Sequence, residues 1–382
     1  MKNPFKYGKE VSGYQFYDRT ENADELYRHL RDGATNVVLY APRRYGKTSL
    51  VLKVLERLRQ DDIRCLHFDL SKCATIEKFC EEYAAAVHSL FGGLPSVANQ
   101  ITLYLSHLHP TFSFSSRGAS VKFDYGDRMT ATSITEVLDL PEKLSMATNA
   151  QAVVIAFDEF QEIECLSNEG ALEAVFRSAI QSHQTARYVF LGSKTHLMKR
   201  MFNTASRPFY KSALPMKIGK PPIAESAEFV SSRFSAEGIS IDGSAVDEIL
   251  AVAENIPYYI QAIAGLAFLA VERRNGHEVT RNDLDFALTR LDEAGEDFYA
   301  ETMSNLSAMQ RLLAEALARE PTARFDEKYR RRHSLPNIST LHSAQRELIR
   351  RGLIEQEKSG WTLGDPFFAR YLRNVSAATV IT

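Results

Sequence analysis

One nine-residue turn limits the folds open to this chain more than any other feature of the sequence. Residues 41–49 read Ala-Pro-Arg-Arg-Tyr-Gly-Lys-Thr-Ser, with the apolar run 36–40 before them and the helix-like run 50–56 after them. A strand, a turn containing Gly-Lys-Thr and a helix form the layout of a phosphate-binding P-loop. Such a turn exposes successive backbone N–H groups at a helix N-terminus, where they cradle an anion.

The turn is therefore predicted to be a phosphate site. Lys47 would reach the β- and γ-phosphates, and the Thr48 hydroxyl would bind Mg²⁺. The predicted binding residues are Ala41, Pro42, Arg43, Arg44, Tyr45, Gly46, Lys47, Thr48 and Ser49.

The first position of this turn departs from the usual P-loop pattern, which begins with glycine. Here that position is Ala41, and Gly46 is the glycine that remains. Ala41 falls at the end of the predicted strand, where a small residue suffices. The alternative is a chance Gly-Lys-Thr on an ordinary surface turn, since short motifs also arise by accident.

A second motif argues against a chance match. Residues 153–160 read Val-Val-Ile-Ala-Phe-Asp-Glu-Phe, an apolar run that leads into two carboxylates. Such a run predicts a strand buried on both faces of a parallel sheet, and ligands bind at the carboxyl ends of such strands. Asp158 would hold Mg²⁺ through its water shell, and Glu159 would be the general base toward the attacking water. The alternative is that the pair simply caps a strand in solvent.

Composition bears on the class of protein. The chain has 382 residues, 45% of them hydrophobic and 25% charged, as in a globular protein of two or three domains. Its net charge of −2 indicates no general affinity for nucleic acid or membrane. The four cysteines form no C-x-x-C pair, which predicts neither a zinc site nor a disulfide framework and favours a cytoplasmic protein. Residues 1–5 lack the apolar region of a signal peptide, and no run reaches membrane length.

The order of predicted elements divides the chain into three segments. Helix and strand signals alternate through residues 1–217, which predicts an α/β core with helices on both faces of a parallel sheet. Residues 92–126 are predicted to be an excursion from that core, with a hairpin strand at 120–125. Residues 218–301 are predicted to be a helical lid, with helices at 224–236, 244–254, 257–272 and 281–294.

Two further candidates follow the buried run 186–193. Ser193 ends this strand, which we expect beside the Asp-Glu strand, and is the candidate sensor of the γ-phosphate; Lys194 and Thr195 are near alternatives. An equally good interpretation makes Ser193 a plain helix N-cap. Arg207 is the candidate cation for charge in the transition state, from its own subunit or a neighbour, because a planar guanidinium suits phosphate.

Residues 302–382 are predicted to be a winged-helix domain. Helices at 306–319, 326–333 and 338–351 precede a hairpin with strands at 353–356 and 361–363. If the domain binds DNA, the third helix would be the one that reads it.

Charge is unevenly divided along the chain. Residues 302–382 hold thirteen Lys and Arg against eight Asp and Glu, a formal +5, which leaves −7 for the remainder. The candidates for DNA contact are Arg330, Arg331, Arg332 and Arg346, since clustered cations bind phosphates. Two alternatives stay open: a solvated helix end whose cations complement the helix dipole, or a domain that docks onto protein.

Taken together, these pieces resemble the archaeal-type ATPases, AAA-like proteins related to the STAND group of P-loop NTPases. The matching pieces are residues 36–49, 155–162, 191–193, 207–210, 352–354 and 365–372, with a looser match at 16–19. The resemblance implies an ASCE-type core, an ATP ligand, a helical lid and a winged helix. It also implies that residues 43–49 hold phosphate, Asp158 the metal and Glu159 the water. Ala41, Asp18 and Asn255 depart from the family by replacing glycine.

The sequence thus predicts a Mg²⁺-dependent, ATP-hydrolysing molecular switch. In this hypothesis the nucleotide state controls how the winged helix contacts DNA or a protein partner. The alternative is a DNA-binding regulator or a protein-assembly scaffold in which ATP is mainly structural. If Arg207 acts across subunits, the protein forms a homo-oligomer.

Overall fold

The computed structural model describes residues 2–8, 19–33, 35–115, 118–124, 130–166, 171–322, 324–357 and 360–381. The chain forms two compact units, one of Ser12–Gly219 and one that combines Met1–Val11 with Lys220–Thr382. Residues 16–18 of the N-terminal motif, Tyr125, and the turn residues Lys358 and Ser359 lie outside the described residues.

A five-stranded parallel sheet forms the centre of the first unit. The described strands of this unit are β1 (Val37–Tyr40), β2 (Arg64–Asp69), β3 (Thr111–Ser115), β4 (Gly118–Lys122), β5 (Val153–Asp158), β6 (Ala186–Gly192) and β7 (Leu214–Lys217). The sheet has the order β2-β5-β6-β1-β7, and neighbouring strands are parallel. β1 and β5 are buried along their whole length, which explains their apolar runs. The predicted α/β fold class is confirmed.

Eight α-helices are described in the same unit. They are α1 (Thr20–Arg31), α2 (Lys47–Gln60), α3 (Ile76–Leu90), α4 (Pro95–Tyr104), α5 (Ala131–Leu138), α6 (Leu140–Thr148), α7 (Ala171–Ser182) and α8 (Thr195–Asn203). Short 3₁₀ helices cover Leu70–Lys72, Ser106–Leu108 and Phe160–Glu164. The alternation of strand and helix gives the crossovers that parallel strands require.

Aromatic rings anchor the end of β5 from both sides. Phe157 is fully buried, and its ring centroid lies 5.7 Å from that of Tyr83 and 6.0 Å from that of Tyr188. Phe160 is also fully buried and lies 4.6 Å from Phe190. The rings of Phe157 and Phe160 flank residues 158 and 159 in the sequence. The packing of the core therefore fixes the backbone from which the side chains of Asp158 and Glu159 extend.

A buried carboxylate holds the turn that precedes β6. Glu142, on α6, accepts backbone N–H groups from Gln184 at 2.9 Å, Thr185 at 3.0 Å and Ala186 at 2.9 Å. It also accepts the Thr185 hydroxyl at 2.6 Å. The Ala186 N–H is buried, so its bond to Glu142 satisfies a donor that solvent does not reach, and the set of bonds holds the start of the central strand.

The excursion after α4 contains an antiparallel hairpin apart from the main sheet. β3 and β4 pair with Thr111 opposite Lys122, and Val121 is buried. The strand predicted at 120–125 is instead Gly118–Lys122, because pairing with β3 sets its limits and local alternation does not reveal that pairing.

The second unit contains the predicted lid and the winged-helix region. Its described helices are α9 (Ile223–Ala236), α10 (Gly243–Val252), α11 (Pro257–Arg273), α12 (Arg281–Ser304), α13 (Ala308–Arg319), α14 (Glu327–Arg332), α15 (Ile338–Arg350) and α16 (Pro366–Ile381). β8 (Ile354–Glu357) and β9 (Gly360–Leu363) form its antiparallel hairpin.

The first residues of the chain pack in this second unit, whereas the sequence assigned all of 1–217 to the core. Asn3 Nδ2 donates to the Gly265 carbonyl at 2.9 Å, and the Lys6 N–H donates to Gln261 Oε1 at 3.0 Å. Phe5 is buried, with its ring 4.9 Å from that of Phe234. These partners are distant in sequence, so no local pattern predicts the contacts.

Helix α12 is longer than predicted and links the two parts of this unit. The sequence ended the helix at 294, but it continues to Ser304 because Tyr299 is buried against Phe368. The Tyr299 hydroxyl also donates to Asp365 Oδ2 at 3.2 Å, and Arg370 Nε donates to Asp292 at 2.7 Å. The helical part and the winged-helix part therefore share one packed interior.

Candidate functional site

The turn between β1 and α2 has the backbone of an anion cradle. Gly46 adopts φ 80°, a left-handed conformation that glycine adopts without steric cost, and Arg44 adopts φ 69°. Helix α2 begins at Lys47, and its N-cap, Gly46, has no side chain with which to cap the first N–H groups. The N-terminal end of α2 is therefore suited to bind phosphate.

Buried neighbours hold both ends of this turn. Ala41 is fully buried at the end of β1. That a small residue suffices there for phosphate binding stays a prediction. Tyr45 is buried, and its carbonyl accepts a hydrogen bond from Arg19 at 2.8 Å. Arg19 is itself 5% exposed, so this cation is part of the interior. Arg43 and Arg44 are exposed at the surface of the turn.

Four predicted residues from the two motifs meet. Lys47 Nζ lies 2.9 Å from Glu159 Oε1 and 3.4 Å from Asp158 Oδ1. The Thr48 hydroxyl donates to Asp158 Oδ2 at 2.7 Å. The lysine is 7% exposed, so its attraction to the carboxylates is little screened by solvent. The structure thus brings the start of α2 to the carboxyl end of β5.

Asp158 is surrounded by donors. His67, on β2, places Nε2 3.2 Å from Asp158 Oδ2, and the Glu159 N–H donates to Oδ1 at 2.8 Å. Burial raises the pKa of the Asp158 carboxyl, but the hydrogen bonds from His67 and Thr48 and the charge of Lys47 outweigh it and hold the pKa well below its usual range. The carboxylate is therefore ionised at neutral pH.

The donor set at this point suits Mg²⁺. Thr48 Oγ1 and Asp158 Oδ2 are hard oxygen donors on neighbouring elements. Across the described ranges, no group of three or more His, Cys, Asp or Glu side chains could hold a metal by itself. That fits Mg²⁺ in a phosphate site, where one or two protein ligands are completed by water and phosphate oxygens.

Glu159 is held at both carboxylate oxygens. Its backbone has φ 49°, an uncommon left-handed conformation for a residue with a side chain. Oε1 faces Lys47, and Oε2 accepts the Ser193 hydroxyl at 2.7 Å and the Gln161 amide. Burial raises the pKa of the Glu159 carboxyl, but the Lys47 charge and the bonds from Ser193 and Gln161 lower it by more.

Ser193 lies beside this carboxylate because β6 is the parallel neighbour of β5, as the sequence predicted. The alternative that Ser193 caps the next helix is wrong, since Lys194 is the N-cap of α8. Lys194 instead pairs with Glu162 at 2.9 Å. A sensor role for Ser193 stays a prediction.

Arg207 is held by two carboxylates other than Asp158 and Glu159. Its guanidinium pairs with Glu173, which is 1% exposed, and with Glu164. Arg200 pairs with Glu164 as well, at 2.7 Å. Within the described residues, no hydrogen bond or ion pair joins Arg207 to Lys47, Asp158 or Glu159. The arginine brought toward the site is Arg43, whose Nε lies 3.4 Å from Ser193 Oγ.

The predicted DNA-contacting arginines have different surroundings. Arg330 donates to the backbone carbonyls of Phe325 at 3.2 Å and Pro336 at 3.3 Å, so it stabilises its own loop. Arg332 lies 3.2 Å from Glu320, and Arg331 pairs with Glu327 while staying exposed. Arg346 is exposed on α15 and reaches Ser343 Oγ at 3.4 Å. The exposed positions on α15 are 338–340, 342, 343, 346 and 350.

Sequence reasoning missed three residues of this site. Arg19 was matched only to a loose N-terminal motif, and neither His67 nor Gln161 was given a role. His67 has a usable signal, because it lies two residues before the end of a strand that borders β5. Gln161 follows Glu159 by two residues, but its direction depends on the 3₁₀ turn Phe160–Glu164.

Comparison with known proteins places the fold. Residues 297–374 match a family model described as a probable winged helix domain. The chain is similar to a Walker-type ATPase of Pyrococcus abyssi, with 18% identity, a TM-score of 0.68, and coverage of 97% of this chain and 99% of that chain. Among curated proteins, no sequence match was found.

Two further structures share the fold. The ORC2 protein of Aeropyrum pernix, solved in ADPNP–ADP complexes, has 12% identity, a TM-score of 0.60, and 96% coverage of each chain. The ORC1 protein of Aeropyrum pernix, solved in complex with DNA, has 14% identity, a TM-score of 0.51, and coverage of 98% of this chain and 96% of that chain. The expected resemblance to archaeal-type ATPases with a C-terminal winged helix is thereby confirmed in fold.

Proposed function

We propose that this protein binds ATP with Mg²⁺ and hydrolyses it to ADP and phosphate. The observation that carries the proposal is the meeting of Lys47 and Thr48, at the start of α2, with Asp158 and Glu159, at the end of β5. A cation, a hydroxyl and two ionised carboxylates at an anion-binding helix end supply the groups that phosphoryl transfer to water needs.

The phosphates would lie against the start of α2. There the N–H groups and the Lys47 ammonium offset negative charge, and Lys47 would exchange its carboxylate partners for phosphate oxygens. Thr48 and Asp158 would hold Mg²⁺, and the bound ion would neutralise charge on the β- and γ-phosphates.

Glu159 would act on the attacking water. As the water oxygen bonds to the γ-phosphorus, the bond from that phosphorus to the β,γ-bridging oxygen breaks, and ADP leaves with the electron pair. The water proton passes to the Glu159 carboxylate, which its surroundings keep ionised at neutral pH. Arg43 Nε lies 3.4 Å from Ser193 Oγ, and its guanidinium would offset charge that develops on the γ-phosphoryl oxygens.

We further propose that nucleotide state governs partner contact by the winged helix. A nucleotide shifts such an equilibrium only by its different affinities for two states, and the γ-phosphate contacts of Lys47 and Arg43 would supply that difference. Duplex DNA is the partner that one observation favours: apart from Ile338, the exposed positions of α15 hold polar and cationic side chains. The similar ORC1 protein was solved with DNA.

Two predictions about the surroundings of the protein belong to this proposal, its cellular location and its oligomeric state. Cys65, Cys73 and Cys80 are free and buried and Cys165 is free and exposed, which supports a cytoplasmic location. A homo-oligomer stays a prediction. Separately, in the part of the chain that the structure describes, no helix is both long and apolar enough to cross a membrane.

The proposal is tested by ATP turnover and ATP affinity of three variants. Glu159→Gln keeps the size of the side chain and removes the base, so turnover should fall at least about 100-fold while ATP still binds. Lys47→Ala should abolish ATP binding. Lys199→Ala removes an exposed lysine from α8 and serves as the control, with both quantities unchanged.

The outcomes separate the parts of the proposal. ATP affinity retained by Lys47→Ala would overturn the phosphate site. Tight ATP binding with no turnover in the wild type would reject hydrolysis and favour a module in which ATP is structural.

A further inference from the structure

We propose that Gln161 is a positioning residue that orients Glu159, so that Oε1 and not Oε2 receives the proton of the attacking water. The inference rests on the proposed ATP hydrolysis and adds a residue and an atom to it. It rests on the four hydrogen bonds that the Glu159 carboxylate accepts.

The Gln161 side chain has one possible orientation. It is 1% exposed, and its amide nitrogen donates to Glu159 Oε2 and, at 3.3 Å, to Glu162 Oε1. Both partners are carboxylate oxygens, which only accept, so the NH₂ group must face them. Gln161 therefore ties the carboxylate of Glu159 to the 3₁₀ turn Phe160–Glu164.

The two oxygens of Glu159 are used unequally. Oε2 accepts the Gln161 amide, the Ser193 hydroxyl at 2.7 Å and the Ser193 N–H at 3.4 Å. Oε1 faces one described donor, the Lys47 ammonium at 2.9 Å. Three donors leave Oε2 without a free lone pair, since a carboxylate oxygen accepts about two bonds. Once Lys47 turns to phosphate, Oε1 is the oxygen open to water.

The end of β6 is shaped to admit Gln161. A Cβ atom on Gly192 would lie 2.4 Å from both Gln161 Oε1 and Met198 Cγ, so a side chain at 192 would force these side chains to shift. That Oε1 atom is buried and has no hydrogen-bond partner among the described residues. A buried acceptor without a partner lowers stability, so stability alone does not account for an amide at position 161. The hydrogen bond that the Gln161 amide NH₂ donates to Glu159 does account for it.

Gln161→Met removes the donor and nearly preserves the volume. We expect turnover to fall about 10- to 100-fold with ATP affinity within about twofold of wild type, because the base is misoriented and the phosphate cradle is intact. Gln161→Asn, whose side chain is one methylene shorter, should show the same loss of turnover as Gln161→Met. It keeps the test possible if the Gln161→Met variant does not fold. Gln261→Met is the matched control: a buried glutamine in the other unit that accepts the Lys6 N–H, with no expected change in turnover.

A double variant separates positioning from general damage. If Gln161 acts through Glu159, then Glu159→Gln with Gln161→Met should turn over ATP no more slowly than Glu159→Gln alone, within about twofold. Effects that multiply would overturn the inference, as would wild-type turnover in Gln161→Met and Gln161→Asn. A wild type that binds ATP without hydrolysing it would instead refute the proposed hydrolysis, on which the inference depends.

Discussion

At the scale of single residues, the surroundings of two arginines decide their use. Arg207 fitted the sequence requirement for a cation near the γ-phosphate, but in the structure it neutralises Glu173, whose carboxylate is 1% exposed. A carboxylate left buried without a cation is far more costly than a surface charge. Arg43 is exposed, and its Nε lies 3.4 Å from Ser193 Oγ. The same Ser193 hydroxyl donates a hydrogen bond to Glu159.

Arg207→Gln is therefore expected to act on stability. The free energy of unfolding should fall by about 3 kcal/mol, because Glu173 loses its cation, while turnover per folded molecule stays near wild type. Arg43→Gln, the matched exchange at the P-loop, should do the reverse and lower turnover with little change in stability. Urea unfolding together with turnover corrected for the folded fraction measures both. Lost turnover with unchanged stability in Arg207→Gln would restore its predicted role at the phosphate.

At the scale of elements, the sequence predicted those contacts that follow from strand order. Apolar runs that end in polar residues placed Lys47, Asp158 and Ser193 at one sheet edge, because parallel strands end together there. Contacts between distant segments left no local pattern. Arg19 supports the turn at Tyr45, and Glu142 caps the turn before β6. Both contacts depend on how the helices pack against the sheet, and the hydrophobic periodicity of the sequence does not specify that packing.

Glu142→Gln tests how much one such contact contributes. The amide NH₂ of glutamine would face backbone N–H groups, so we expect a loss of about 2 kcal/mol in the free energy of unfolding at pH 7. The pKa of Glu142 is lowered from its usual 4.5, since burial raises it but hydrogen bonds from residues 184–186 lower it more. Its contribution is therefore complete above pH 4.5 and lost as pH falls through the folded-state pKa.

Urea unfolding at a series of pH values measures this dependence. The difference between wild type and Glu142→Gln should be constant from pH 7 to about pH 5.5 and should shrink below pH 4.5. Glu82→Gln, a change in an exposed glutamate on α3, should show almost no difference at any pH. A difference that persists unchanged at pH 3 would mean that packing, and not the charge of the carboxylate, accounts for the loss.

At the scale of the whole molecule, formal charge overstates what the winged-helix region can offer to DNA. Several of its cations are used internally. Arg330 binds backbone carbonyls, Arg370 pairs with Asp292 at 2.7 Å, and Arg373 donates to the Ala318 carbonyl at 2.8 Å. Arg351 pairs with Glu347 and donates to the Asn305 carbonyl at 2.9 Å. These four arginines are held by contacts within the fold and are less available to DNA phosphates than the formal +5 of residues 302–382 suggests.

Two arginines on α15 are exposed: Arg350 pairs with Glu347, whereas Arg346 forms no ion pair with a described residue. If the domain binds duplex DNA, the affinity should be modest and should fall with salt in proportion to the few phosphates neutralised. Arg346→Ala should weaken binding and reduce the slope of log affinity against log salt by about one, as loss of one phosphate contact does. Titration of labelled duplex at several salt concentrations measures the slope. Arg273→Ala removes an exposed arginine on α11 and should leave it unchanged. Wild-type protein that binds no duplex at low salt would reject DNA as the partner and point to a protein, without bearing on the proposed ATP hydrolysis.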